Sequence, residues 1–87
     1  MITRVVHCKK EPYDIYIGRP SKWGNPFIIG RDGKRNEVVN KFRVWCLRQR
    51  GIMDSLGELR GRTLGCWCSP LQCHGDVLAE LADDYKC

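Results

Sequence analysis

Residues 66–76 read Cys-Trp-Cys-Ser-Pro-Leu-Gln-Cys-His-Gly-Asp, which puts three thiols, an imidazole and a carboxylate within eleven positions. Three chemistries fit such a run. Cys66, Cys68, Cys73 and His74 make a donor set of three sulfurs and one nitrogen, the kind that closes structural zinc sites, with Cys8 or His7 able to replace one ligand. Cys66 and Cys68 share a face if the segment is a strand. Cys73 and His74 are adjacent, and neighbours on a helix point about 100° apart, so a shared ion requires a non-helical Cys73. The second chemistry needs no metal. At a helix start, free backbone N–H groups and the dipole favour an anion and lower a thiol pKa, which makes Cys73 a candidate nucleophile. His74 is then an acid, base or phosphate donor near neutral pH. Gly75 would admit a ligand to the backbone, and Asp76 would cap the helix, orient His74 or accept from a sugar hydroxyl. The third alternative is structural: core thiols on a buried strand and a carboxylate that only favours the helix start.

A second unusual stretch is 17–27, Ile-Gly-Arg-Pro-Ser-Lys-Trp-Gly-Asn-Pro-Phe. Trp23 offers a stacking face for a base. Arg19 and Lys22 offer charge for phosphate, and Arg alone grips it bidentately. Asn25, restricted by the proline after it, pairs either with a base edge or with the loop itself. The alternative is a self-packed loop in which Trp23 and Phe27 cover the core and Asn25 ties the turn.

The elements that must position these groups follow from periodicity. Residues 3–8, with β-branched Thr3, Val5 and Val6, predict a strand. Tyr13, Ile15 and Ile17 alternate with polar positions and predict a second strand with one buried face. Residues 18–33 predict a long loop, with a short strand at 27–29 and a turn at Asp32-Gly33. The clearest helix spans 37–49, with Val38, Phe42, Trp45 and Cys46 inward, Asn36 as its cap and Gly51 as its stop. The Ser55–Glu58 spacing predicts a capped short helix with Leu56 and Leu59 inward, ended by Gly61. Residues 63–68 predict a strand with Leu64, Cys66 and Cys68 on one face and Trp67 on the other, broken by Pro70. A last helix spans 73–83, striped by Val77, Leu78 and Leu81. The order β-β-α-α-β-α predicts a single α/β domain over 1–87: a small three- to four-stranded sheet covered by about three helices. The Cys/His segment then falls where a strand ends and a helix begins, the usual ligand position in α/β sheets.

Composition sets bounds. The chain has 87 residues, 43% of them hydrophobic, and this suffices for one core. Net charge is +5: residues 1–62 hold fourteen Lys/Arg and six Asp/Glu, whereas 63–87 hold one Lys and four acids. The basic part favours an anionic partner. Of six cysteines, Cys66, Cys68 and Cys73 are clustered, Cys46 falls on a helix's apolar side and Cys87 in the tail, and the first residues carry no apolar run of signal-peptide length. Reduced thiols and an intracellular setting are therefore expected. No stretch is long and apolar enough to span a membrane.

Gly18-Arg19-Pro20 with Trp23-Gly24-Asn25-Pro26-Phe27, then Leu59-Arg60-Gly61, then Leu64-Gly65-Cys66-Trp67-Cys68 with Pro70 and Cys73-His74-Gly75-Asp76-Val77-Leu78-Ala79 resemble an uncharacterised domain-of-unknown-function family of small phage and bacterial proteins. The resemblance covers nearly the whole chain. It implies an α/β fold and a phage-associated setting inside a bacterial host, and it implies no reaction.

The residues favour a binding module for a nucleotide-type ligand or nucleic acid, using Arg19, Lys22, Trp23, Asn25, His74 and Asp76 beside a Cys/His pocket that holds Zn2+ on the first alternative. A small enzyme acting at an N-glycosidic bond, with His74 and Asp76 as acid/base and Cys73 as nucleophile, is the second function class. A zinc-stabilised phage protein that binds a host protein through its basic face is the third. The first reading requires the Trp-bearing loop and the Cys/His bend to meet in one pocket.

Overall fold

In a computed structural model, residues 2–69 and 71–84 are described. Pro70 and Cys87, expected as strand breaker and tail residue, lie outside them. The elements are β1 (Arg4–His7), β2 (Ile15–Tyr16), α1 (Arg35–Arg48), α2 (Arg50–Ser55), a 3-10 turn at Leu56–Glu58, β3 (Thr63–Cys66) and α3 (His74–Asp84). The three strands form one sheet in the order β1-β3-β2, and both pairings are parallel, with Leu64 of β3 between Val5 and Ile15. This is the expected α/β class.

Period-two alternation in β3 sends Leu64 and Cys66 to one face and Gly65 to the other. Leu64 and Cys66 join a core with Ile17, Phe42, Cys46, Leu56, Leu59, Val77 and Leu78. On the opposite face, the connection between β1 and β2 lays the Tyr13 ring over Gly65. A Cβ at Gly65 would lie 2.6 Å from Tyr13 Cγ, so the absent side chain makes room for the ring. Cys46 is fully buried, as its helical position predicts, and burial pushes its thiol up to about 12.

Several boundaries differ from expectation, each for a local reason. No strand forms at 27–29. The Phe27 N–H goes to Asn25 Oδ1 (2.9 Å) and the Ile28 N–H to Asp32 Oδ2 (2.8 Å), so side-chain acceptors replace a ladder. α1 starts at Arg35 with Lys34 as its cap residue, whose N–H donates to Glu37 Oε1 at 2.9 Å; Asn36 is inside the first turn instead of capping it. The helix stops at Gln49, which is extended (φ −99°, ψ 98°), and Gly51 sits within α2. That break turns Ile52 and Leu56 into the core. Ser55 makes no capping bond, because α2 runs directly into the 3-10 turn; Leu56 and Leu59 are nonetheless fully buried as predicted. β3 ends at Cys66, short of Cys68.

α3 packs closely on the sheet through Gly75. A Cβ there would lie 2.8 Å from Ile17 Cδ1 and 3.0 Å from Val5 Cγ1. The glycine's role is helix-to-strand approach, which corrects the expectation that it admits a ligand. At the other end of α3, the Thr3 N–H and hydroxyl both donate to Asp83 (3.0 and 2.6 Å to Oδ1), and the Gly61 N–H donates to Thr3 Oγ1.

Gly75→Ala is expected to destabilise the fold by about 1–3 kcal/mol through overpacking. Gly51→Ala, where nothing lies within 4 Å of the new methyl, is expected to be neutral or stabilising by up to about 1 kcal/mol. Urea denaturation of both variants checks the contrast.

Candidate functional site

The carboxyl ends of β2 and β3, the loop after β2, the start of α1 and the start of α3 enclose one cleft of about 440 Å³. Cys66, Cys68, Cys73 and His74 line it together with Arg19 and Asn25 of the loop. The Trp-bearing loop and the Cys/His bend therefore do meet.

Their individual roles differ from the expected set. Cys73 is the cap of α3: its sulfur accepts the Gly75 N–H at 3.3 Å, while its own N–H donates to Asp76 Oδ2 at 3.1 Å. This reciprocal arrangement works as a capping box with sulfur in place of a hydroxyl. It explains Asp76, which is exposed, does not line the cleft and serves the helix start. The carboxylate also occupies the positive end of α3, so this helix start is not an open phosphate site.

Cys66 Sγ and Cys73 Sγ lie 3.2 Å apart in the buried floor. The Cys73 thiol, with the backbone N–H groups of Ser69 and Cys68, holds the Cys66 thiol down to about 6 against the opposing effects of burial and Asp76. Cys73 is pushed up, because it supplies the shared proton and is itself buried. The five described cysteines are all free thiols. Among the described residues, no three His, Cys, Asp or Glu side chains come together to hold a metal ion. His74 Nε2 is instead 2.8 Å from the Ile17 carbonyl, His7 Nδ1 accepts the Lys9 N–H, and the backbone of Cys8 pairs with β3. Cys73 lies outside the helix, as a shared ion would require, but the His74 ring turns to the Ile17 carbonyl, and among the described residues the expected four-ligand set does not assemble.

His74 is mostly buried, with its ring edge-on to Phe42 at 5.1 Å between centroids. Donation from Nε2–H to the Ile17 carbonyl fixes the neutral tautomer and leaves Nδ1 as an acceptor. Burial lowers its pKa, and the nearby Arg19 charge adds to this, opposed by the Ile17 carbonyl and Asp76.

In the loop, Trp23 is only 4% exposed and belongs to the core, so it has no open face for a base. Lys22 covers its ring at 4.9 Å and pairs with Glu58 at 3.2 Å, outside the cleft. The self-packed alternative therefore holds for Trp23, and Lys22 is directed away from the cleft. Asn25 is also self-satisfied: Nδ2 donates to the Val38 carbonyl at 3.3 Å and Oδ1 holds the Phe27 N–H, tying the loop to α1. Arg19 remains exposed on the cleft, its stem against Gly24, where a Cβ would come within 2.9 Å of Arg19 Cγ. Among the described residues no carboxylate pairs with its guanidinium.

Arg35, Trp67 and Tyr16 are polar or aromatic lining residues absent from the expected set. Arg35, in the first turn of α1, reaches across to the Gln72 carbonyl at 3.1 Å. Trp67 is 54% exposed; its Nε1–H donates to Tyr16 Oη at 2.8 Å, and the Tyr16 hydroxyl donates to the Arg19 carbonyl at 3.3 Å. The strand alternation already put Trp67 opposite Cys66 and so pointed away from the core. Nothing local marks Arg35.

The family model described as a domain of unknown function, DUF4326, matches residues 2–84. The chain belongs to this family. It is 36% identical over 87 residues to an uncharacterised 12.4 kDa protein from the nrdA-td intergenic region of Enterobacteria phage T4, a match covering 94% of this chain and 79% of the phage protein. It is 33% identical over 86 residues to an uncharacterised protein of Acanthamoeba polyphaga mimivirus, covering 78% of this chain and 65% of that one. The chain thus spans somewhat less than two thirds of the mimivirus relative. No solved structure matches it. Among the described residues no helix is long and apolar enough to cross a membrane.

Because the folded state holds His74 below its unfolded value of about 6.5, the unfolded chain takes up that proton first as pH falls. The contribution of His74 to stability is complete above about pH 6.5 and is lost progressively below it. Urea midpoints at pH 7.5 and pH 5 are expected to fall in that order, and His74→Gln is expected to reduce the difference.

Proposed function

We propose that the cleft binds a nucleotide-type ligand, with phosphate on Arg19 and Arg35 and the base against the exposed Trp67 and Tyr16 rings. The observation that carries this reading is the convergence of two guanidinium groups from separate elements on one cleft that also presents a half-exposed tryptophan. Each guanidinium has donors left for a phosphate: Arg35 uses one on Gln72, and Arg19 has no carboxylate partner among the described residues. The cleft also opens at the carboxyl ends of parallel strands, where α/β sheets hold their ligands. The net charge of +5 favours an anionic partner, free nucleotide or single-stranded nucleic acid alike.

Binding is favoured over N-glycosidic chemistry because no Asp or Glu is among the residues lining the cleft. That reaction needs a carboxylate beside the scissile bond, and Asp76 is committed to the helix cap. The zinc-stabilised host-binding reading lacks a converged ligand set among the described residues.

Thermal-shift and fluorescence titrations with nucleoside mono-, di- and triphosphates and with short single-stranded DNA and RNA test the proposal. Arg19→Ala and Arg35→Ala are each expected to weaken binding by roughly tenfold to a hundredfold, the worth of a charge-assisted hydrogen bond. Trp67→Ala is expected to weaken it by a comparable factor through lost stacking. If no nucleotide or oligonucleotide binds, or if both arginine variants bind as wild type, the reading fails.

A further inference from the structure

We propose that Cys66 and Cys73 form a redox-active dithiol in the floor of the cleft, which exchanges electrons with small disulfides that enter from solvent. The inference goes beyond nucleotide binding and does not depend on it.

The sulfurs are 3.2 Å apart, beyond a covalent bond, which needs about 2.05 Å, but close enough that one closes with a relative shift of roughly 1 Å. They come from different elements: Cys66 ends β3, and Cys73 caps α3. Both residues line the cleft, which gives a small molecule a route to otherwise buried thiols. The surroundings are built for sulfur in more than one state. The Gly75 N–H donates to Cys73 Sγ, and each thiol is the other's hydrogen-bond partner. Cys46, equally buried, lines no part of the cleft and has none of these donors, so the core contains its own inert comparison.

The exchange is a two-step thiol–disulfide reaction. The Cys66 thiolate attacks one sulfur of a small disulfide RS–SR. An S–S bond forms to Cys66, the RS–SR bond breaks, and RS⁻ leaves with the electron pair and takes up a proton. Cys73 then loses its proton and attacks Cys66 Sγ, which forms the Cys66–Cys73 bond and expels the second RSH. Two cysteine thiols are oxidised and one small disulfide is reduced to two thiols. The reverse reaction regenerates the dithiol.

The test uses the full chain, reduced, desalted and equilibrated in glutathione redox buffers of increasing oxidised fraction. Trypsin leaves Cys66, Cys68 and Cys73 in one peptide, 63–86, so pairs are assigned by differential alkylation followed by fragment mass spectrometry. The expected result is a disulfide between Cys66 and Cys73 as the first product. Cys68 and Cys46 should remain alkylatable, Cys46 once the protein is denatured. Cys68→Ser should leave the product unchanged, and circular dichroism should report a folded chain in both redox states. In urea the preference should disappear, because the fold and not the sequence spacing brings the sulfurs together. Persistence of both thiols in the folded chain in fully oxidised glutathione overturns the proposal. So does a first product through Cys68, or the same pairing preference in urea. The wild-type mapping decides the question even if Cys66→Ser or Cys73→Ser fails to fold.

Discussion

The start of α3 is held against the sheet by two contacts that must coexist: a bare Gly75 backbone pressed on Ile17 and Val5, and the hydrogen bond from His74 to the Ile17 carbonyl. Without the first, the helix cannot come close enough for the second. Without the second, a carbonyl at the end of β2 loses a partner in a mostly buried setting, at a cost of about 1–3 kcal/mol. Ile17 is also the residue from which the long loop departs. The same contact therefore sets where Arg19 emerges and how wide the cleft is. A single residue step couples the packing of a helix to the geometry of a possible binding surface.

The sulfur pair obeys the same logic of shared duty. Cys73 closes the exposed N–H groups of α3, a task that serine, threonine or aspartate performs in most helices. A thiol is a weaker acceptor than a hydroxyl, so helix capping alone does not explain its choice. Placed 3.2 Å from Cys66, it becomes the partner of a second sulfur, and that is chemistry a hydroxyl cannot supply. Asp76 completes the cap and sits at the positive end of the helix, which removes it from the cleft, whereas Arg19 of the loop and Arg35 of α1 line it.

The chain's basic side chains divide between surface ion pairs and the cleft. Lys22 is spent on Glu58 and on the Trp23 ring, and Arg43 on Glu80, whereas Arg19 and Arg35 are directed to one opening. Surface ion pairs of the first kind contribute little to stability.

Residue type and spacing alone were enough to specify the α/β class, the core stripe of α1 through Phe42 and Cys46, and the burial of Leu56, Leu59 and Leu64. All of these follow from residue type and period, which act over a few neighbours. Trp23, Asp76 and Asn25 each carried a ligand reading beside a structural one, Gly75 a ligand reading alone, and each serves the molecule itself: the core, a helix cap, a loop tie and a close approach. Polar and aromatic residues carry both kinds of capacity, and composition does not separate them. Only the tertiary structure decided which side chains were already satisfied by partners far away in the chain, and which, like Arg19, Arg35 and Trp67, were left facing solvent at the end of a strand. Satisfaction of a polar or aromatic group depends on distances between elements, and no local pattern encodes those distances.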